Sequence, residues 1–291
     1  VRLYANRREA GFDAPEEVAH APDRLPGNHG AHTELVAFSD VLGSGQSHLV
    51  RIRHDAVVCW PNLGRGRFGA PITLATSLFE LKTFQPARVR LADLDGSGAA
   101  DLIYLESNHL RVCRNQGGNG FALPVDLAWP DGVRYDDTCQ VSFADVHGIG
   151  CAALVLTVPH PTPRHWIVDF AAGKKPYLLE RVNNNRGLDT QLVYRSSAQA
   201  WLDEKHVTPT AVSYLPFPVQ VVSQVTQTDE IIGNTLTQGY VYRHGFYDGH
   251  EREFTGFGYL EQWDTERAAT TKADDDTLTA PVLTKNLSSK R

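Results

Sequence analysis

An aspartate followed by two glycines recurs along the first half of this chain at a nearly constant interval. The copies are "FSDVLGSGQSHLVRI" from Phe38, "LADLDGSGAADLIYL" from Leu91 and "FADVHGIGCAALVLT" from Phe143. Their first aspartates, Asp40, Asp93 and Asp145, are separated by 53 and 52 residues. A second pattern follows the first two copies. "WPNLGRGRF" carries Asn62 and Phe68 and "CRNQGGNGF" carries Asn115 and Phe121, each asparagine 22 residues after its aspartate. The N-terminal "VRLYANRREAGF" supplies the same pair as Asn6 and Phe12. The chain is therefore expected to open inside a repeat. It contains no methionine, so Val1 is not read as a translation start, and a longer parent polypeptide is expected.

A period near 50 residues, made of short β-rich runs split by Gly, Asn and Pro, is the signature of propeller blades. Within a repeat, "LVRIRHDAVVCW" and "LIYLESNHLRVCR" each read as two strands joined by a tight polar turn, at Arg53-His54-Asp55 and at Glu106-Ser107-Asn108. The expected fold is all-β: a partial propeller over residues 1–175, followed by a second region over 176–291. After Ala153 the repeat is expected to dissolve, with "TVPHPTPRHW" a proline-broken connection. "TQLVYRSSAQAWLDE" and "LPFPVQVVSQVTQTDEI" read as alternating strands. Asp248-Gly249 reads as a hairpin turn, with Tyr240, Tyr242 and Phe246 on one face of the first arm. On the return arm, Phe254 and Leu260 are expected to alternate with Glu251 and Glu253. Gly256 and Gly258 suggest bulges or close backbone contact. The polar tail from Glu266 carries no pattern.

Charge and composition narrow the function. A net charge of −6 without a long basic run argues against nucleic acid as a partner. No apolar stretch reaches the roughly 20 residues of a membrane helix, so direct membrane insertion is not expected. Cys59, Cys113, Cys139 and Cys151 lie in or beside apolar runs without C-x-x-C spacing, which reads as small buried hydrophobes rather than a zinc or redox site.

The middle copy raises the question of calcium. Asp93, Asp95, Ser97, Ala99 and Asp101 occupy the first, third, fifth, seventh and ninth places of a calcium-type loop, with Ala99 able to offer only its carbonyl. The first copy has Leu42 and His48 at the third and ninth places, and the last has His147, Ile149 and Ala153 at the third, fifth and ninth. What all three share is an aspartate able to bond its own backbone and glycines that permit positive φ. Two readings stand: a structural turn, or a calcium site in the middle copy. Calcium takes six to eight oxygens, and the absence of a carboxylate at Ser97 would make the site weak, on the order of 10⁻⁴ to 10⁻³ M.

Motifs for chemistry are missing. The sequence has no H-E-x-x-H, no G-x-S-x-G and no G-x-x-x-x-G-K-[ST]. "NQGGNG" precedes no helix whose N-terminus could hold phosphate. His160 and His165, in "HPTPRH", are placed in a loop too irregular to hold a metal. Glu251 and Glu253 are placed on one strand face without a pocket. "WPNLGRGRF" sets Arg65 and Arg67 beside Trp60 as a candidate contact patch for a partner protein.

Four stretches carry a resemblance: "LADLDGSGAADLIYL…NQGGNGF", "KPYLLERVNNNRGLDTQLVYRSSAQAWLDE", "LPFPVQVV" and "YRHGFYDGHEREFTGFG". Together they resemble the B component of bacterial insecticidal toxin complexes and the related Salmonella plasmid-virulence B proteins, over about residues 1 to 265. The resemblance implies FG-GAP-like repeats in a six-bladed propeller that docks on the pore-forming A component as a gate. It also implies a β-shell of Rhs/YD-repeat type, begun by residues 176–291, that encloses the toxic part of the C component. Further blades would lie upstream of Val1, and the complex would be secreted or cell-surface. Enzymatic elements belong to the C component, so this chain is expected to be no enzyme. The alternative from another class is a calcium-dependent adhesion or receptor-binding propeller.

Overall fold

A computed structural model describes residues 2–18, 25–26, 33–130, 132–267 and 284–286. The chain forms two compact units, one of residues 1–144 with 152–171 and the other of residues 145–151 with 172–291.

The first unit holds three antiparallel meanders, one for each Asp-Gly-Gly copy. Strands Leu35–Ser39, His48–Ile52, Ala56–Trp60 and Ile72–Thr76 make the first, in chain order. Strands Val89–Ala92, Asp101–Leu105, His109–Cys113 and Val125–Ala128 make the second. The third has Gln140–Ala144, Ala153–Val158 and Arg164–Val168. The polar turns at 53–55 and 106–108 join adjacent strands as expected. Each asparagine–phenylalanine pair closes a small bridge: Asn6 with Phe12, Asn62 with Phe68, Asn115 with Phe121. The repeat is thus one supersecondary unit used again.

Strand Asp101–Leu105 is buried along its whole length, and the two-residue period of a strand explains how. Leu102 and Tyr104 point into a cluster with Val50, Ile52 and Val57 of the first meander. Ile103 and Leu105 point the other way, into a cluster with Trp129, Leu154 and Leu156. The middle sheet is packed on both faces, which requires an unbroken apolar run rather than an alternating one. Cys59 and Cys113 are buried in the first of these clusters, while Cys139 is half-buried against the second.

Two expectations change here. The repeat does not dissolve after Ala153, because the proline-rich run is only the loop between two paired strands, and His165 lies in the second of them. The third copy also keeps its side-chain turn with a different residue: Asp169 Oδ1 accepts from Ala171 N at 2.9 Å, as Asn62 Oδ1 accepts from Gly64 N at 2.9 Å.

The second unit is a six-stranded antiparallel sheet in sequence order: Arg181–Asn183, Leu188–Ser196, Gln220–Asp229, Thr235–Asp248, Glu253–Arg267 and Thr284–Asn286. One α-helix, Ser197–Val207, stands between its second and third strands. This corrects the reading of "SSAQAWLDE" as strand. Ser196 Oγ caps the helix by accepting from Ala198 N at 3.1 Å, and Lys205 and His206 sit in its last turn. Good helix formers such as Ala, Gln, Leu and Glu continue it. The expected boundary at 175/176 did not foresee that loop 145–151 groups with this unit. Ser196 Oγ donates to the carbonyl of Gly148, and Gln220 Nε2 donates to that of Ile149 at 3.1 Å.

The hairpin of the last two long strands turns through four residues, Gly249 to Arg252, between the paired Asp248 and Glu253. Asp248 Oδ1 accepts from His250 N at 2.8 Å and from Glu251 N at 3.1 Å, which fixes the longer turn. Glu251 therefore lies in the turn and does not share a strand face with Glu253. Thr255 is the extra residue of a bulge, since Phe246 pairs with Gly256 but Tyr247 with Phe254. Gly239 lies under its cross-strand partner Trp263, where an added Cβ would come within 2.1 Å of the indole ring.

Candidate functional site

The three Asp-Gly-Gly loops share one backbone cradle. Asp40 accepts from Ser44 N at 3.1 Å and Gly45 N at 2.6 Å. Asp93 accepts from Ser97 N at 3.1 Å and Gly98 N at 2.8 Å, and Asp145 from Ile149 N at 2.9 Å and Gly150 N at 2.6 Å. The second glycine of each loop, Gly45, Gly98 and Gly150, has φ of 79°, 89° and 82°, a conformation that costs a side-chain-bearing residue energy. The turn skeleton alone accounts for the shared residues.

The middle loop adds a carboxylate cluster. Asp93, Asp95 and Asp101 bring carboxylate oxygens within 4.8 Å of one another. Asp101 is 1% exposed, and Asp95 is also buried. Burial pushes the Asp101 carboxyl up to about 6 against the opposing N–H bonds from Asn115 and Leu94, and the charges of Asp95 and Asp93 push the same way. Asp93 is raised too, first by burial and then by Asp95, against the N–H of Gly98. A cation would relieve this mutual repulsion, and each carboxylate oxygen keeps a second lone pair after accepting its N–H. The three clustered carboxylates are donors of the kind calcium takes, and Ser97 and Ala99 of the same loop carry the hydroxyl and the carbonyl that the sequence pattern would add.

Asp101 also has a structural task that its sequence position concealed. Its Oδ1 accepts from Asn115 N at 2.7 Å and its Oδ2 from Leu94 N at 3.0 Å. At the same place in the first loop, His48 Nδ1 accepts from Asn62 N at 2.9 Å. In the first two copies the ninth position accepts the backbone N–H 14 residues on, with imidazole in one and carboxylate in the other, whereas Ala153 of the third copy has no acceptor side chain.

His48 was not singled out from sequence, and its Nε2 lies 2.8 Å from Ser44 Oγ. The pair has the look of a nucleophile and its base. It cannot act as one, because a ring whose Nδ1 accepts an N–H carries its own proton on Nε2 and donates it to the serine. Noticing that histidine and aspartate alternate at an acceptor position would have found this residue.

The candidate contact patch divides. Arg65 and Arg67 are exposed on the small hairpin Asn62–Gly64 and Arg67–Phe68. Trp60 is 4% exposed and packs with Leu49, Val58 and Phe68, with the Arg51 guanidinium 5.4 Å from its ring centroid. Trp60 is corrected to a core residue. Its position on the same fully apolar stretch as Val57 and Cys59 gives it the buried second face of the sheet.

In the second unit, a cleft of about 520 Å³ is lined by residues that include His147, Lys174, Lys175, Glu180 and Arg195. Arg195 is already bound to Asp203. No catalytic constellation is assembled there among the described residues. No described helix is long and apolar enough to cross a membrane.

Residues 115–291 match the family described as the insecticide toxin TcdB middle/N-terminal region. The chain is 50% identical to one component of a Tc holotoxin pore of Photorhabdus luminescens, over 98% of this chain and 13% of that one, with a TM-score of 0.88. It is 48% identical to a chain in a TcdB2–TccC3 crystal structure, over 98% of this chain and 14% of that one, with a TM-score of 0.79. The chain thus spans a small part of the length of the solved proteins it resembles. No curated protein matches it.

Proposed function

Because this chain belongs to the TcdB insecticide-toxin family, in its middle/N-terminal region, we propose that it is a non-enzymatic part of the B component of a secreted toxin complex. The three meanders are blades of a propeller that docks on a pore-forming A component and gates it. The six-stranded sheet begins an Rhs-type shell around toxic cargo carried by a C component. The similar structures, a Tc holotoxin pore and a TcdB2–TccC3 complex, support these partners.

The observation that carries the blade reading is the stacking of repeated sheets. Successive meanders pack face to face through the two sides of strand Asp101–Leu105, which is how blades fill a ring. The shell reading rests on the long antiparallel strands of the second unit and on their aromatic run. Tyr240 and Tyr242, and Tyr242 and Phe257, have ring centroids 6.4 and 5.1 Å apart. Exposed Arg65 and Arg67 are the proposed docking side chains. Calcium in the middle loop, held by Asp93, Asp95, Ser97, Ala99 and Asp101, would stiffen a blade rim and take no part in a reaction.

The test is a pair of assays on the intact B component. Replacing Arg65 and Arg67 with alanine should weaken binding to the pore component without changing protection of the cargo from protease. Disrupting the hairpin at Phe254 and Leu260 should do the reverse. If neither region affects either assay, the division of labour is wrong.

A further inference from the structure

We propose that His48 is an acid-sensitive latch on the turn that carries Arg65 and Arg67. The ring is 3% exposed, and both of its nitrogens meet polar partners. Nδ1 accepts the backbone N–H of Asn62 at 2.9 Å. Nε2 lies 2.8 Å from Ser44 Oγ and 3.6 Å from Asp40 Oδ1. Asn62 opens the small hairpin, pairing with Phe68, and its side chain holds the turn by accepting from Gly64 N at 2.9 Å and donating to the Ser47 carbonyl at 3.0 Å.

This arrangement requires a neutral imidazole, because only the neutral ring has an acceptor nitrogen. When the ring takes a second proton, both nitrogens are donors and the Asn62 N–H is left facing N–H. Imidazole is the side chain whose unperturbed charge change falls between pH 5 and 8. The second proton lands on Nδ1, the atom that faces the Asn62 N–H, and the ring then carries its charge with Nε2 3.6 Å from Asp40 Oδ1. The two arrangements exclude each other, so acid exchanges a hydrogen bond that holds the Asn62 turn for an ion pair within the Asp40 loop.

The other titratable groups around the ring do not compete. On the paired strand Ala56–Trp60, the Cys59 thiol is pushed up to about 11 by burial and by Asp40, and stays neutral in this range. The paired strand Leu35–Ser39 carries no charge. On its own strand Arg51 lies over Trp60, and Arg65 and Arg67, on the turn itself, are exposed cations. The second loop has Asp101 at the equivalent place, where a carboxylate accepts the same N–H without offering a charge change of this sign. The latch belongs to the first loop.

The test is backbone hydrogen exchange on the intact polypeptide that carries this chain, at pH 7.5 and pH 5.0, corrected for the intrinsic pH dependence of exchange. Protection of the peptide containing Asn62 to Phe68 should fall about tenfold at pH 5.0, the effect of losing one hydrogen bond. His48→Asn keeps an acceptor at that place and takes no proton in this range, so its protection should hold at both pH values. Unchanged protection in the wild type overturns the proposal, as does an equal fall in His48→Asn. Should that variant not fold, the wild-type ring is followed by NMR: its protonation must coincide with the loss of protection, and separate midpoints overturn the latch. The exchange readout needs no pore component, so it stands or fails apart from the docking role proposed for Arg65 and Arg67.

Discussion

The backbone N–H of Ala152 donates to the carbonyl of Asp93 at 3.0 Å, and one repeat earlier the N–H of Ala100 donates to the carbonyl of Asp40 at 2.8 Å. The residue that ends each loop is bonded to the residue that begins the preceding one. The aspartates thus do two things: their carboxylates build their own turns, and their carbonyls fix the stacking of the next meander.

Two adjacent core residues should report separately on the two sides of the middle meander. Leu102 and Ile103 are both fully buried but belong to different clusters. Replacing either with alanine should cost about 3 kcal/mol in denaturant unfolding. Costs below about 1 kcal/mol for either would mean that its face is not packed.

Calcium should stabilise the middle loop if the carboxylate cluster holds it. Removing calcium with a chelator should then lower the melting temperature by a few degrees, and Asp93→Ala should abolish that sensitivity. Identical melting curves with chelator and with millimolar calcium would leave the loop as a turn only.

In chelator, the Asp101 carboxyl should make stability fall as pH rises from about 4, its ordinary range, to about 6, its value in the fold. The folded chain holds that proton more tightly than the unfolded one, so ionisation across this window opposes folding. The comparison is with Asp101→Asn, which still offers an oxygen to Asn115 N. Across the window, wild type should lose stability relative to the variant. A difference that stays flat, or moves the other way, would mean that burial of Asp101 costs nothing.

The hairpin and the arginines should fail differently. Phe254 packs edge-on against Phe257 with centroids 5.6 Å apart, and Leu260 faces Tyr242 across the strands. Aspartate at either place should destabilise the fold by about 1–3 kcal/mol, read by thermal melting. Alanine at Arg65 and Arg67 should leave melting within about 0.5 kcal/mol of wild type. Misfolding of the arginine variants alongside normal hairpin variants would reverse the assignment.

The purified chain should show no NAD glycohydrolase, ADP-ribosyl transfer, protease or glycosidase turnover. Activity that persists through purification and vanishes on changing Ser44 or His48 would contradict the tautomer argument and the non-enzymatic reading together.

The repeat was legible because its turns demand particular chemistry: an acceptor at Asp40, Asp93 and Asp145, and glycine where φ is positive. Its third copy was harder to read because Asp169 does the work of Asn62 with a different side chain. The helix at Ser197–Val207 was hidden because Ala198, Ala200, Trp201 and Leu202 form no single stripe, so only the Ser196 cap and local propensity marked it. Glu251 was misplaced because Asp248 can start either a two-residue or a four-residue turn, and its two N–H bonds select the longer. Trp60 reads as surface from sequence because Arg65 and Arg67 follow it closely. A strand buried on both faces gives no alternation by which to tell. The role of Asp101 was invisible for a simpler reason: a carboxylate that accepts N–H bonds and one that binds calcium are the same residue.

Electron cryomicroscopy of the intact B component bound to its pore-forming partner would locate the docking blades and the enclosing shell separately. The meanders of residues 35–168 should lie at the pore end, with Arg65 and Arg67 at or near the contact, and strands 181–267 should form part of the wall around the cargo. Meanders remote from the pore, or the six-stranded sheet making the pore contact itself, would contradict this division of labour.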